Sequence, residues 1–249
     1  MRQYGLIEVV RVVYRDFKLL GRSREFGYPY GDVMPNPNIQ IQRRFSSLLS
    51  GKRKSAELWD TILAESNEFV VVPTKGSIVP FWVLLVPKTF FLNFAQLGRN
   101  EMHSPYEMVA SIAGHFKASS FLWFEHGASM IGSATGCGVD HAHIHILLRP
   151  SFSLSDMHAE AVLSSNVDWA EVLPHDAYNQ IESNQDYYVC GDGTSTLVAQ
   201  GKSLGRQFFR KVIANLANIP EEWDYQRFYH LPNVVKTIDA LEARQLNAA

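Results

Sequence analysis

Short runs of β-branched and aromatic residues alternate with turn residues through the middle of the chain. Phe69-Val70-Val71-Val72 and Trp82-Val83-Leu84-Leu85-Val86 are two such runs, separated by Pro73-Thr74-Lys75-Gly76, so a β-hairpin is expected from Glu68 onward. Ser104, Pro105 and Glu107 then supply an N-cap, a first-turn proline and a capping-box acid, while Met108, Ile112 and Phe116 recur every fourth residue. That spacing predicts a helix of about four turns. Phe121 to Glu125 reads as a strand, Gly127 to Gly138 as a glycine-containing loop, and Asp140 to Leu148 as a strand that Pro150 ends. The order strand, strand, helix, strand, strand predicts an antiparallel α+β unit.

The pattern continues past Pro150. A short helix is expected after Ser155. Strands are expected at Tyr187-Tyr188-Val189 and Thr196-Leu197-Val198, joined through Gly191-Asp192-Gly193, then a helix from near Ser203 with Phe209, Val212, Ile213 and Leu216 on its apolar side. Pro220 opens a further helical turn carrying Trp223, and Val234 to Leu246 has helical spacing. Residues 1 to 55 read as an N-terminal extension: apolar from Val9 to Leu20, turn-rich around Gly27–Gly31 and Pro35–Asn38, then cationic at Arg43-Arg44 and Lys52-Arg53-Lys54. Those cations suit either a phosphate or an ordinary solvated loop. With no internal repeat or evident linker, the expected organisation is a core over residues 56–150, with residues 151–249 as a C-terminal extension of helices and strands packed on it.

Composition narrows the classes. A chain of 249 residues with 46% hydrophobic and 19% charged residues can bury a sizeable core, which excludes disordered and collagen-like proteins. The net charge of −2 argues against a whole-surface nucleic-acid binder, so no nucleic-acid polymer is expected and any anionic ligand must be held locally. Two cysteines, Cys137 and Cys190, are too few for a disulfide framework or an all-thiolate zinc site. Residues 1–8 lack the apolar stretch of a secretory signal, and there is no apolar run of membrane-spanning length. A cytoplasmic protein that does not cross a membrane is expected.

The strongest chemical signal is Gly136-Cys137-Gly138-Val139-Asp140-His141-Ala142-His143-Ile144-His145-Ile146-Leu147-Leu148, which holds three of the nine histidines within five residues. On a strand, His141, His143 and His145 share one face and Ala142, Ile144 and Ile146 the other. A row of imidazoles has to satisfy several ring nitrogens and offers no packing advantage over Val or Ile, so chemistry is the better account. Two kinds of chemistry compete. Alternate strand residues lie about 6.5 Å apart, so three cannot all reach a zinc ion at about 2.1 Å without a bend, although two helped by Asp140 or Glu125 can. Alternatively one imidazole is a nucleophile and its neighbours shape the reaction.

From His141 to Leu147 the residues match the His-hydrophobic-His-hydrophobic-His-hydrophobic-hydrophobic signature of the histidine triad (HIT) superfamily of nucleotidyl hydrolases and transferases. Asn67 to Pro73 and Val79 to Lys88 resemble the paired strands that begin that domain, so the likeness spans roughly residues 60–150. It implies an α+β fold of HIT type, an antiparallel sheet with flanking helices, and pairing as a homodimer. It further implies that His143 attacks an α-phosphorus to form a nucleotidyl-histidine, with its other ring nitrogen bonded to a backbone carbonyl near His141. His141 and His145 then orient the site and stabilise charge, and neither a metal nor another cofactor is required. Gly136, Cys137 and Gly138 are expected at the phosphate, the glycines letting backbone N–H groups approach.

This chain departs from the family in several places. Cys137 stands where many relatives have glutamine, Gly138 where they often have serine, Trp82 where several have a further histidine, and Thr74 where some have a ribose-binding acid. Trp82 or Phe81 would then stack on a base or simply pack, and Glu125 and His126 are placed at the pocket edge. Ser203, Arg206, Gln207, Arg210 and Lys211, early in one predicted helix, either offer cations to a polyphosphate or sugar phosphate or face solvent. The expected activity is hydrolysis of a dinucleoside polyphosphate, such as a diadenosine polyphosphate, or of another nucleotide conjugate. Transfer of the nucleotide to phosphate or a sugar phosphate is the alternative, and a catalytically weak nucleotide-binding protein is a third reading.

Overall fold

The computed structural model describes residues 45–49, 57–97, 104–136, 139–201 and 204–246. The apolar stretch from Val9 to Leu20, the turn-rich stretches at 27–31 and 35–38, the cations at 43–44 and 52–54, Cys137, Gly138 and Ser203 lie outside them. Eight strands form one sheet: β1 (Ala64–Glu65), β2 (Phe69–Pro73), β3 (Trp82–Pro87), β4 (Phe121–Gly127), β5 (Ile144–Leu148), β6 (Ala170–Val172), β7 (Tyr187–Gly191) and β8 (Thr196–Gln200). The order is β1-β2-β3-β5-β4-β7-β8-β6, with every neighbouring pair antiparallel. The α-helices among the described residues are α1 (Ser46–Leu49), α2 (Pro105–His115), α3 (Leu154–Leu163), α4 (Phe208–Leu216) and α5 (Leu231–Leu246). The result is a mixed fold of an antiparallel sheet with several helices. Residues 151–249 supply three of its strands, joined to the rest through the β4–β7 ladder.

Strand alternation separates two cores. One face of the sheet packs Val71, Val83, Trp123, Ile144, Ile146 and Val189 against residues of α2 and α5. The other face packs Trp82, Leu122, Phe124, Leu147 and Tyr188 against α3 and α4. Phe45, just before α1, adds to this side by packing with Val70, Val72, Leu84 and Val86. The capping box that opens α2 is present, since Ser104 Oγ accepts from the Glu107 N–H and Glu107 Oε2 from the Ser104 N–H. α3 carries the same device through Ser153 and Asp156, so it starts earlier than Ser155.

Three sequence expectations shift. The β2–β3 hairpin forms, but its connection runs over residues 74–81 and is anchored from α5: Asn233 donates to the Ser77 and Ile78 carbonyls, and Thr237 accepts from the Phe81 N–H. The strand expected from Asp140 begins only at Ile144. Register would set Pro87 of β3 against Ala142, and a proline has no N–H to continue the ladder. The Ala142 N–H turns instead to the Phe91 carbonyl at 2.7 Å. Finally, α4 begins at Phe208, because Gln207 before it takes a left-handed conformation.

Candidate functional site

The late start of β5 shapes the histidine row. Only His145 sits in the strand, whereas His141 and His143 lie in the irregular segment leading to it. On each ring one nitrogen meets a partner that decides which nitrogen carries hydrogen. His141 Nε2 donates to the Pro87 carbonyl at 2.8 Å, the acceptor released when the ladder stopped. The His141 carbonyl in turn accepts from His143 Nδ1 at 2.8 Å, which leaves Nε2 of a neutral His143 without hydrogen. At His145 the polarity is reversed, because Nδ1 accepts from the indole Nε1–H of Trp82 at 3.0 Å and the hydrogen must sit on Nε2. A bare nitrogen on one ring thus stands beside an N–H on the next, with ring centroids 4.9 Å apart.

His126 of β4 completes the arrangement, facing His145 edge-on at 6.2 Å. Its Nε2 accepts from the Phe209 N–H at 3.2 Å, one of the amide groups left over at the start of α4. A neutral His126 therefore carries its hydrogen on Nδ1. Burial, then the charges of His143 and Arg210, lower its pKa to about 3, so it is uncharged at neutral pH. His145 is clamped by stacking on Phe124 with centroids 4.4 Å apart and planes 9° from parallel. His141 is walled by Phe45 and Phe90, each 5.7 Å away, and burial lowers its pKa against the opposing Pro87 bond.

Three of these rings border a small open pocket, which the ring of His141 does not line. His126, His143 and His145 line it together with two cations, Lys75 and Arg210, and with no carboxylate of the described residues. Thr74 lines it as well, buried at the end of β2 with its N–H bonded to the Trp82 carbonyl. Lys75 and Tyr225 also belong to the lining and were missed from sequence. Lys75 was legible only as part of a turn, and nothing in the pattern around Tyr225 signals a site.

Other sequence candidates are placed elsewhere. Trp82 is fully buried with its ring beneath the Arg210 guanidinium, 4.8 Å away, so it supports His145 and does not offer a face to a base. Glu125 points to the opposite face of β4, where it accepts from the Phe94 N–H, Tyr178 and Tyr187. Burial pushes it up to about 7 despite those three bonds, which act the other way. Gly136 is buried in a turn and its N–H is bonded to the Ser133 carbonyl. The loop before the row is held by Asp186, which accepts from Ser129, Ser133 and Thr135, while Asp140 accepts from the Gly132 N–H. Among the described residues no three His, Cys, Asp or Glu side chains are grouped to hold a metal ion. No described helix is long and apolar enough to cross a membrane.

No family model and no curated protein matches the chain. Among solved structures it is similar to yeast Ap4A phosphorylase Apa2. The structure of that protein in complex with AMP is 13% identical, at a TM-score of 0.35 over 67% of this chain and 73% of that one. The structure in complex with Ap4A is 13% identical at a TM-score of 0.35, over 73% of this chain and 82% of that one. At these values the likeness is distant.

Proposed function

We propose that the protein is a nucleotide hydrolase of histidine triad type, in which residues 56–150 form the catalytic unit and His143 is the nucleophile. The observation that carries this reading is the bond from His143 Nδ1 to the His141 carbonyl, which leaves Nε2 of the neutral ring without hydrogen, at a pocket lined by two cations. An imidazole attacks phosphorus through a lone pair, and a backbone carbonyl can only accept, so it holds the ring in the reactive tautomer.

The reaction has two halves. In the first, His143 Nε2 forms a bond to the α-phosphorus while the bond from phosphorus to the leaving oxygen breaks, and the electron pair departs on that oxygen. Positive charge spreads over the His143 ring, and the His141 carbonyl dipole stabilises it. The Nε2–H of His145 and the Nδ1–H of His126 are neutral donors that suit phosphoryl oxygens without drawing the lone pair of His143 into an ion pair. In the second, water adds to phosphorus and gives up a proton to solvent as the phosphorus–nitrogen bond breaks, returning the electron pair to Nε2 and releasing nucleoside monophosphate.

The test is to mix the full chain with dinucleoside tetraphosphate labelled at the α-phosphorus and quench early. An acid-labile, base-stable label on the wild type, lost in His143→Ala, is expected. No label on the wild type, or label retained without His143, would overturn the proposal. Product analysis with added phosphate or hexose phosphate separates hydrolysis from transfer to those acceptors.

A further inference from the structure

Arg210 belongs to α4, in the C-terminal hundred residues, yet it is only 3% exposed and lines the pocket that holds His143. Its Nε donates to the Trp223 carbonyl at 3.0 Å, and Nη2 donates to the Gly76 carbonyl in the hairpin turn. The guanidinium lies over the Trp82 ring at 4.8 Å and near that of Tyr225 at 5.6 Å. These four contacts fix the guanidinium at the wall of the pocket.

The neighbourhood is built around this cation. A Cβ on Gly76, whose φ is +67°, would lie 2.8 Å from Arg210 Nη2, 2.7 Å from Tyr225 Cβ and 2.8 Å from the Phe228 carbonyl. The turn therefore needs a glycine both for its left-handed backbone and for the closeness of the arginine. The adjacent Lys75 is a second cation on the same pocket, its Nζ held over the rings of Trp59 at 4.7 Å and Tyr229 at 4.6 Å. His126, His143 and Arg210 line the same pocket, so the proposed nucleophile and the arginine face one common region. Two cations exceed what a single α-phosphate diester, with one negative charge, requires.

We propose that Arg210 and Lys75 form a subsite for additional phosphate groups, so that the enzyme selects substrates whose leaving group is itself a phosphate chain over those that release a neutral alcohol or phenol. The proposal rests on the placement of the α-phosphate at His143 given above, and it assigns to the C-terminal segment the choice of leaving group. Arg210 suits this task because its planar fork binds two phosphate oxygens at once, whereas Lys75 serves as a point charge.

The experiment compares wild type, Arg210→Gln and Lys75→Gln by two readouts. First, affinities for inorganic tripolyphosphate and for AMP are measured by calorimetry. The ratio of tripolyphosphate to AMP affinity is expected to fall about 10- to 100-fold in Arg210→Gln and about 3- to 10-fold in Lys75→Gln. Second, the ratio of kcat/KM for dinucleoside tetraphosphate to that for the p-nitrophenyl ester of AMP is expected to fall by similar factors. A purely structural clamp would depress both members of each ratio equally, and unchanged ratios overturn the proposal. So does a wild type that binds AMP but not tripolyphosphate. Should Arg210→Gln fail to fold, Lys75→Gln decides by the same ratios. If wild type forms no nucleotidyl-histidine from either substrate, the catalytic reading fails, and the tripolyphosphate measurement still judges the anion subsite.

Discussion

Replacing Trp82 by Phe tests whether an indole on the neighbouring strand sets the protonation form of the imidazole beside the proposed nucleophile. The substitution removes one donor, the Nε1–H that His145 Nδ1 accepts at 3.0 Å, from a position with no solvent exposure. Two responses are open to the protein. If His145 keeps its tautomer, a buried acceptor loses this partner at about 1–3 kcal/mol, and the smaller ring leaves a void beneath Arg210 worth roughly another 1 kcal/mol. If the hydrogen moves to Nδ1, part of that loss is avoided, but Nε2 turns from donor to acceptor and repels phosphoryl oxygens. Removing one preorganised donor of this kind costs about 3 kcal/mol in the transition state, on the order of 100-fold in rate. The two readouts therefore trade against each other. Urea denaturation measures the first, the single-turnover rate of nucleotidyl-enzyme formation the second, and nitrogen-15 NMR of the His145 ring reports the tautomer directly. Trp82→Phe with wild-type stability, rate and ring spectrum would refute the assignment.

The other expectations concern the scaffold and its pH response. A Cβ on Gly127 would overlap the Tyr187 ring, so Gly127→Ala should lower stability by about 3 kcal/mol; an unchanged thermal midpoint would show that β4 and β7 can separate without cost. Burial acts to raise the Asp186 carboxyl, but the hydroxyls and amide that it accepts from hold it below the usual range. Asp186→Asn should thus cost roughly 1–3 kcal/mol and slow labelling of His143 by loosening the loop before the row, and a variant with the parental rate would sever that link. Glu125, raised to about 7, binds its proton more tightly folded than unfolded. The stability it contributes is complete below about pH 4.5 and is lost as pH rises through about 7. His126, lowered to about 3, works in reverse: its contribution is complete above about pH 6.5 and is lost as pH falls through about 3. Between about pH 4.5 and 6.5 the two oppose, so Glu125→Gln should gain stability with rising pH and His126→Gln should lose it, each by about 1–3 kcal/mol in urea midpoints. Slopes of the same sign in both variants would contradict the assignment.

What could be read from the chain in advance was local. The β2 and β3 runs, the Ser104 capping box and the row of histidines each occupy consecutive residues, and period and cap chemistry act over that range. β6 was not legible, because Ala170–Val172 is largely exposed and too short to show alternation. The truncation of β5 needed the register that sets Pro87 opposite Ala142, and register is a property of two strands together. Glu125 illustrates the same limit: it neighbours His126 in sequence, but the pleat sends it to the other core and into bonds with two tyrosines.

The tautomers in the site carry this point furthest, since none of the four rings is fixed by its own strand alone. His141 depends on a carbonyl that a proline left without a ladder, and His145 on an indole 63 residues away in sequence. His126 depends on an amide that α4 cannot use, 83 residues further on. Only His143 is set by a near neighbour, the His141 carbonyl two residues before it. The tautomer of the proposed nucleophile is therefore encoded in the motif itself, while the donors near it are supplied by packing. A chain that kept His141, Ala142 and His143 but changed β3 or α4 would keep an imidazole with a bare nitrogen and lose the N–H groups that make phosphorus open to attack. On this argument, Trp82→Phe, which removes the indole donor, and Phe209→Pro, which removes the amide donor, should alter the rate of transfer to His143 more than they alter the accessibility of its ring to acylation. Diethyl pyrocarbonate labelling of His143 that fell in step with turnover would show instead that those residues act by placing the nucleophile.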